Sequence, residues 1–363
     1  MNPRLEAVRE WINREKVDAV LLSKPANRFY AAGFTGSAGT VVITRDKQYM
    51  VTDFRYKSQV QAQCPDFTYL QIDKHESACK HIRGLGLKRV GVEDEYVSIS
   101  LATEYEKEIP DIELVPMKNQ MTVIRSVKEA SEIDCIRKAA SVADAGWAKI
   151  QEKIGPGITE KQLALDLEYD MRQNGADGVS FQFIVASGLR SALPHGIASE
   201  KRVEAGDLLT FDFGVMVGGY CSDMTRTVVV GEANDRQKEI YGVVLEAQQT
   251  ALEAVKPGMT GFELDTIARD LIVKAGYGDY FGHGLGHGVG IEIHEYPHVN
   301  HLGKTPLKPG MIITIEPGVY LPEFGGVRIE DLVLVTEDGY EVLSHSDKAL
   351  VEIPIPYLNQ EAD

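Results

Sequence analysis

Two apolar runs in the sequence each carry a carboxylate: Asp212 in LLTFDFG and Glu316 in IITIEPG. An isolated ionised carboxylate buried in such a strand is costly, so each needs a cation or a hydrogen-bonded partner. Both runs turn back through glycine, and the returning segments bring Asp223 in VMVGGYCSD and Glu330 in VYLPEFGGVRIED. A turn at Val217-Gly218 sets Asp212 directly opposite Asp223, with Cβ atoms about 4.5–5.5 Å apart. A turn centred on Glu323 does the same for Glu316 and Glu330. Like charges opposed in this way destabilise a hairpin unless something positive lies between them. One such acid alone reads as a strand carboxylate salt-bridged to Arg226 or Arg328. Four at related positions read as the donor set for a pair of divalent cations about 3.5–4 Å apart.

A nitrogen donor is also on offer. Five of the nine histidines fall between 283 and 301, in HGLGHGVGIEIHEYPHVNH. The glycines from Gly282 to Gly290 exclude a stable helix there and let the backbone approach closely, so the run positions imidazoles beside a ligand or metal. His195, in SALPHGIAS, occupies the place in the first half of this region that His298 occupies in the second. His298, His301 and His345 read as solvated loop histidines, and His75 and His81 as surface positions on a polar helix. Cys221 reads as a small packing residue rather than a soft ligand.

Positioning these groups requires two related halves, and the sequence repeats itself accordingly. GPGITEKQL, with Pro156, Gly157, Thr159 and Leu163, returns 101 residues later as KPGMTGFEL, and AGDLLTFDFG (205–214) aligns with PGMIITIEPG (309–318) at a shift of 104. Each copy starts a helix with a threonine cap and closes it at Gly175 or Gly276. A long helix precedes the first copy, with Ile133, Ile136, Ala140, Ala143, Trp147 and Ile150 as its buried stripe. Residues 1 to about 117 read instead as alternating elements. Helices are expected near 2–15, 75–84 and 98–108, and strands over Val17–Ser23, Thr40–Thr44, Tyr49–Phe54, Phe67–Ile72, Arg89–Glu93 and Ile112–Met117. The boundary falls near 118–128, which gives an α/β domain over 1–120 and an α+β domain with an internal duplication over 121–363.

Composition agrees. The 363 residues are 44% apolar and 25% charged, which suits two packed domains and excludes disorder for most of the chain. With 38 Lys+Arg against 54 Asp+Glu the formal charge is −16, and with no basic patch a nucleic-acid partner is not expected. The first twenty residues are charged and amphipathic, and no later stretch reaches ~18 uncharged apolar residues, so a cytoplasmic protein without membrane contact is expected. Four scattered cysteines fit a reducing compartment.

FDFG, SDMTRT, GHGLGHGVG, TIEPGVY and VRIEDLV, in this order, resemble the metal-dependent proline peptidases of the creatinase/prolidase/methionine aminopeptidase superfamily (peptidase family M24), whose catalytic domain has the pita-bread fold. NRFYAAGF (27–34) and TDFRY (52–56) look like the family's creatinase-type N-terminal domain. The resemblance implies that Asp212 binds one metal, His287 and Glu316 the other, and that Asp223 and Glu330 bridge them. It marks His195 and His294 as substrate-side residues, Arg328 as a partner beside Glu330, and His283 as a further active-site histidine. All five metal ligands are intact, unlike those of creatinase.

The activity so implied is hydrolysis of the bond before proline. A solvent nucleophile made available by two cations attacks the carbonyl, Glu316 carries the proton to the leaving nitrogen, and His294 or His195 stabilises the oxyanion. An oxygen-rich set with one imidazole favours Mn²⁺, with Co²⁺ or Zn²⁺ as substitutes. An Xaa-Pro dipeptidase is the leading expectation. An aminopeptidase P acting on longer Xaa-Pro peptides, and a non-catalytic binding protein on the same fold, are the alternatives. A cation closing the groove marks the dipeptidase, and Arg55 is one candidate for it. The family resemblance implies a homodimer formed through the N-terminal domains.

Overall fold

In the computed structural model, which describes residues 3–73 and 76–355, Leu5, Val8, Trp11 and Ile12 recur every three or four residues and bury one face of α1 (Pro3–Arg14). The chain divides into two units, Met1–Arg125 and Ser126–Asp363. In the first, α1 is followed by β1 (Ala19–Leu22), α2 (Pro25–Ala32), β2 (Thr40–Thr44), β3 (Gln48–Asp53), α3 (Lys57–Gln63), β4 (Thr68–Ile72), α4 (Cys79–Gly84), β5 (Arg89–Val92), α5 (Ile99–Glu108), β6 (Glu113–Pro116) and α6 (Gln120–Ser126). The strands form one mixed sheet in the order β4-β3-β2-β1-β5-β6. Every expected strand is present. The helices α2 and α3 were not anticipated: α2 begins at Pro25, a residue suited to a first turn, but NRFYAA is too short a run to show a helical period. His81, on α4, is partly exposed and bonds the Gln71 carbonyl at 2.7 Å. His75 lies outside the described residues.

The second unit carries the duplication. Its first half runs α7 (Ala130–Ile150), α8 (Glu160–Gln173), β7 (Gly178–Val179), β8 (Ile184–Ser187), β9 (Leu208–Phe213), β10 (Val215–Val217), β11 (Tyr220–Cys221) and β12 (Met224–Val230). Its second half runs α9 (Asp235–Ala254), α10 (Gly261–Lys274), β13 (Gly286–Gly288), β14 (Glu295–Val299), β15 (Ile312–Ile315), β16 (Gly318–Leu321), β17 (Gly325–Arg328), β18 (Asp331–Val335), β19 (Tyr340–Val342) and β20 (Val351–Ile353). Thr159 and Thr260 cap α8 and α10 through their side chains, and Gly175 and Gly276 follow those helices with positive φ, as the repeat predicts.

Each half packs its own core beneath its helix pair. Ile136, Ala140, Ala143, Trp147 and Ile150 of α7 are buried. The Trp147 ring lies 5.4 Å from Phe211 and 6.0 Å from Phe213, the residues on either side of Asp212. The strand that displays this acid is thus held by aromatic packing beside it. The main sheets run β12-β9-β8 in the first half, extended beside β12 by β20 from the end of the chain, and β14-β13-β15-β18-β19 in the second. Among the described residues no helix is long and apolar enough to cross a membrane.

Register decides where the acids fall. In the second hairpin Gly318 pairs with Arg328 and Ile315 with Asp331, so Glu316 and Glu330 face each other about a turn centred on Glu323, as expected. The first hairpin differs from expectation. Val217 pairs with Tyr220, so its turn lies at Gly218-Gly219, both with positive φ. Asp212 consequently pairs with Thr225, not with Asp223. Asp223 falls between β11 and β12, opposite Gly214, where a Cβ would come within 1.9 Å of the Ser222 carbonyl oxygen. The two-residue glycine turn fits the strand twist better than the valine-glycine turn assumed from sequence.

Candidate metal centre

The two hairpins and the glycine-rich strand β13 bring three donors together. Asp223, His287 and Glu330 each offer a ligand atom, and these atoms all lie within 4.8 Å of one another. His287 Nε2 is 3.6 Å from Asp223 Oδ2 and 3.3 Å from Glu316 Oε1. The other ring nitrogen, Nδ1, donates to the Gly288 carbonyl at 3.0 Å, so Nε2 is the nitrogen turned toward the acids. Glycine makes this approach possible: a Cβ on Gly286 would stand 2.1 Å from the Thr314 carbonyl oxygen and one on Gly288 2.3 Å from that of Tyr296. Thr314 Oγ1 accepts from the His287 amide at 3.0 Å and donates to Glu316 Oε1 at 2.9 Å, fixing ligand strand and acid together.

Arg328 organises the other side. Its Nη2 donates to Asp212 Oδ2 at 2.5 Å, Nη1 to the Tyr320 hydroxyl at 2.8 Å and Nε to Thr225 Oγ1 at 3.1 Å. Thr225 in turn donates to Glu330 Oε2 at 2.6 Å, so Arg328 reaches Glu330 only through this hydroxyl. The Tyr320 hydroxyl, receiving from Arg328, donates to His283 Nε2 at 2.9 Å. Burial pushes the Tyr320 phenol up to about 12, so it stays a donor at any ordinary pH. Tyr320, Thr225 and Thr314 were not singled out from sequence. Tyr320 lies at the end of TIEPGVY, and strand periodicity would have put it on the face that Glu316 occupies. Arg226, the other cation considered for the acids, pairs with Asp331 at 2.9 Å and bonds the Glu330 carbonyl oxygen.

The electrostatics suit a cation. Burial and then the neighbouring carboxylates hold Asp223 and Glu330 well above the usual carboxylate range. Asp212 is raised too, by burial that Arg328 only partly offsets. For Glu316 burial is outweighed by the hydrogen bond and charge of His287, which leave it at about 2. Among the described residues Glu330 Oε1 is a buried atom with no hydrogen-bond partner. A crowded acid cluster with such an atom is what positive charge would relieve, so these residues fit divalent metal.

His294 lies edge-on to His287, with ring centroids 4.4 Å apart. It stays open to solvent, and its pKa is lowered first by partial burial of the ring and then by the His287 and His195 imidazoles, with Glu316 acting the other way. His195 is exposed on a turn whose Pro194 carbonyl accepts from Arg328 Nη1 at 3.3 Å. His298, His301 and His345 are exposed, and Cys221 is buried with its thiol pushed up to about 12 by burial. Arg55 is exposed and paired with Asp53 at 2.8 Å.

Residues 134–337 match the model of metallopeptidase family M24, and residues 4–127 match the creatinase/prolidase N-terminal domain. The chain belongs to metallopeptidase family M24. Within the family it is 41% identical over 354 residues to the Xaa-Pro dipeptidase of Pyrococcus furiosus, covering 97% of this chain and 100% of that one. The solved Xaa-Pro dipeptidase from Bacillus anthracis superposes with a TM-score of 0.93 at 43% identity, covering 96% of this chain and 99% of the other. The X-Pro aminopeptidase from Thermotoga maritima superposes with a TM-score of 0.87 at 38% identity, covering 94% and 99%. This M24 chain accordingly has the pita-bread fold behind a creatinase-type N-terminal domain, and the metallopeptidases it belongs to use divalent metals.

Proposed function

We propose that this chain is an Xaa-Pro dipeptidase (prolidase) working with two divalent ions, with 121–363 as its catalytic domain and 1–120 as an accessory domain. The observation that carries the reading is the convergence of Asp223, His287 and Glu330 between hairpins that also deliver Asp212 and Glu316. Likeness to dipeptidases along nearly the whole chain supports the substrate class. Asp212 would hold one ion, His287 and Glu316 the other, and Asp223 and Glu330 both. Four carboxylates and one imidazole favour Mn²⁺ over Co²⁺ or Zn²⁺. When bound, the pair supplies Lewis acidity and a solvent nucleophile at neutral pH.

The remaining work falls to side chains. Glu316 takes the nucleophile's proton and passes it to the proline nitrogen as the C–N bond breaks. His294 and His195 face the carbonyl oxygen and stabilise the charge that develops there. Arg328 keeps Asp212 oriented, and the Tyr320 hydroxyl does the same for His283. The imide nitrogen of proline has no N–H to donate, so apolar groups can surround the ring at no polar cost. The protein acts as a cytoplasmic homodimer. Four free cysteines support the reducing compartment, and the family resemblance supports the dimer.

The test compares an Xaa-Pro dipeptide with a proline-containing pentapeptide of the same first two residues. Preferential turnover of the dipeptide is expected. Equal turnover replaces this reading with an aminopeptidase P, which the likeness to the Thermotoga maritima enzyme favours. No hydrolysis of either, with no Mn²⁺ bound, leaves a non-catalytic binding protein.

A further inference from the structure

His195 sits on an exposed turn, yet the segment around it is held at one buried point. Glu160, the first residue of α8, is wholly buried. Its Oε1 accepts from the Ser187 amide at 2.7 Å and from Ser187 Oγ at 2.9 Å. Its Oε2 accepts from the Ser199 amide at 3.0 Å, Ser199 Oγ at 2.6 Å and Arg190 Nε at 3.0 Å. One carboxylate therefore gathers both ends of the 187–199 segment and one of its side chains. Arg190 Nη2 crosses the loop to the Ile197 carbonyl at 2.6 Å. On the far side Ser191 Oγ accepts from the Gly326 amide at 2.8 Å, and Pro194 O accepts from Arg328, which tie the loop to the second hairpin.

The repeat sharpens the point. At the place related to Glu160, the second half has Gly261, where a Cβ would stand 2.0 Å from the His298 carbonyl oxygen. There the segment carrying His298 packs directly on the helix backbone, with the Phe262 amide donating to Gly303 O at 2.8 Å. The first half uses a buried carboxyl side chain where the second uses bare backbone. A polar group buried for packing alone is costly, and here its five accepted hydrogen bonds fix a geometry.

We propose that Glu160 is a positioning residue for the reaction: its carboxylate, with Arg190, clamps the 187–199 loop and so holds His195 at the substrate. This rests on the reading of His195 as a substrate-side residue. The test is a double-mutant cycle in the metal-loaded full chain, with E160Q, H195A and the pair, measuring kcat and KM on an Xaa-Pro dipeptide, bound metal, and amide exchange of residues 188–198. E160Q is expected to keep its metal, to lose roughly tenfold in kcat/KM as a misplaced group does, and to speed exchange in the loop while α8 stays protected. In the H195A background E160Q is expected to cost nothing further. Should E160Q fail to fold, R190M tests the same clamp and should show a smaller loss that H195A also absorbs. Losses that add to that of H195A, or unchanged loop exchange, overturn the proposal alone. Full activity in H195A overturns the role of His195 and the proposal with it, and a wild-type chain inactive on Xaa-Pro dipeptides overturns the function while loop exchange still reads the clamp.

Discussion

Arg328 and Asp212 are joined across the two halves of the duplication by a charge-assisted hydrogen bond of 2.5 Å. The same guanidinium binds Tyr320 and Thr225, so one planar fork aligns an acid, a phenol and a hydroxyl at once. Lysine keeps the charge and loses the fork. Arg328→Lys should therefore fold, and should weaken metal binding or activity by roughly 10–100-fold, as removal of a ligand's orienting partner does. Metal titration with parallel kinetics checks it, and wild-type values in both would show that charge alone suffices.

Asp223 and Glu330 are assigned to both ions, so removing either should empty the centre. Asp223→Asn and Glu330→Gln are expected to abolish bound metal and hydrolysis together, with the fold retained because each lost charge was repelled by its neighbours. Elemental analysis of the purified variants decides; full activity in either would refute the dinuclear assignment.

The same crowding sets a pH dependence. Asp223 and Glu330 have raised folded-state pKa values, so without metal the folded chain keeps protons that the unfolded chain has released. Their contribution to stability is complete below the ordinary carboxylate range and is lost as pH rises through the raised values. Metal takes the place of those protons. The gain in melting temperature from saturating Mn²⁺ should thus be larger at about pH 8 than at about pH 5, read by thermal melts with and without chelator. Glu316 has the opposite sign: its contribution is lost only as pH falls through about 2, so it does not blur the comparison. A pH-independent gain would contradict this account.

His294 lies edge-on to His287 and is not among the three donors that converge there. His294→Ala should leave metal content near normal and lower kcat by roughly 10²-fold, the range for a group acting in the transition state. Loss of metal in this variant would make His294 a ligand instead.

What the sequence disclosed and what it hid divide along physical lines. The buried acids, the glycines beside His287 and the repeated Pro-Gly-x-Thr caps were legible because each is a local anomaly or period whose cost is known in advance. The facing of Glu316 and Glu330 was legible because the hairpin length allows a symmetric turn. The pairing of Asp212 was not: Gly218-Gly219 moves the turn by one residue, and strand register is sensitive to a shift of that size. Tyr320, Thr225 and Glu160 escaped notice because an ordinary tyrosine, threonine or helix-start glutamate becomes distinctive only when long-range packing supplies its partners.

With Asp212 and Asp223 in one half and His287, Glu316 and Glu330 in the other, neither half holds all five donors of the proposed centre. A chain folded only in its first half carries two of the acids without His287, and one folded only in its second half lacks Asp212 and Asp223. On the proposed assignment the complete two-ion site exists only once the halves have docked, so loading with both ions would report a fully assembled molecule.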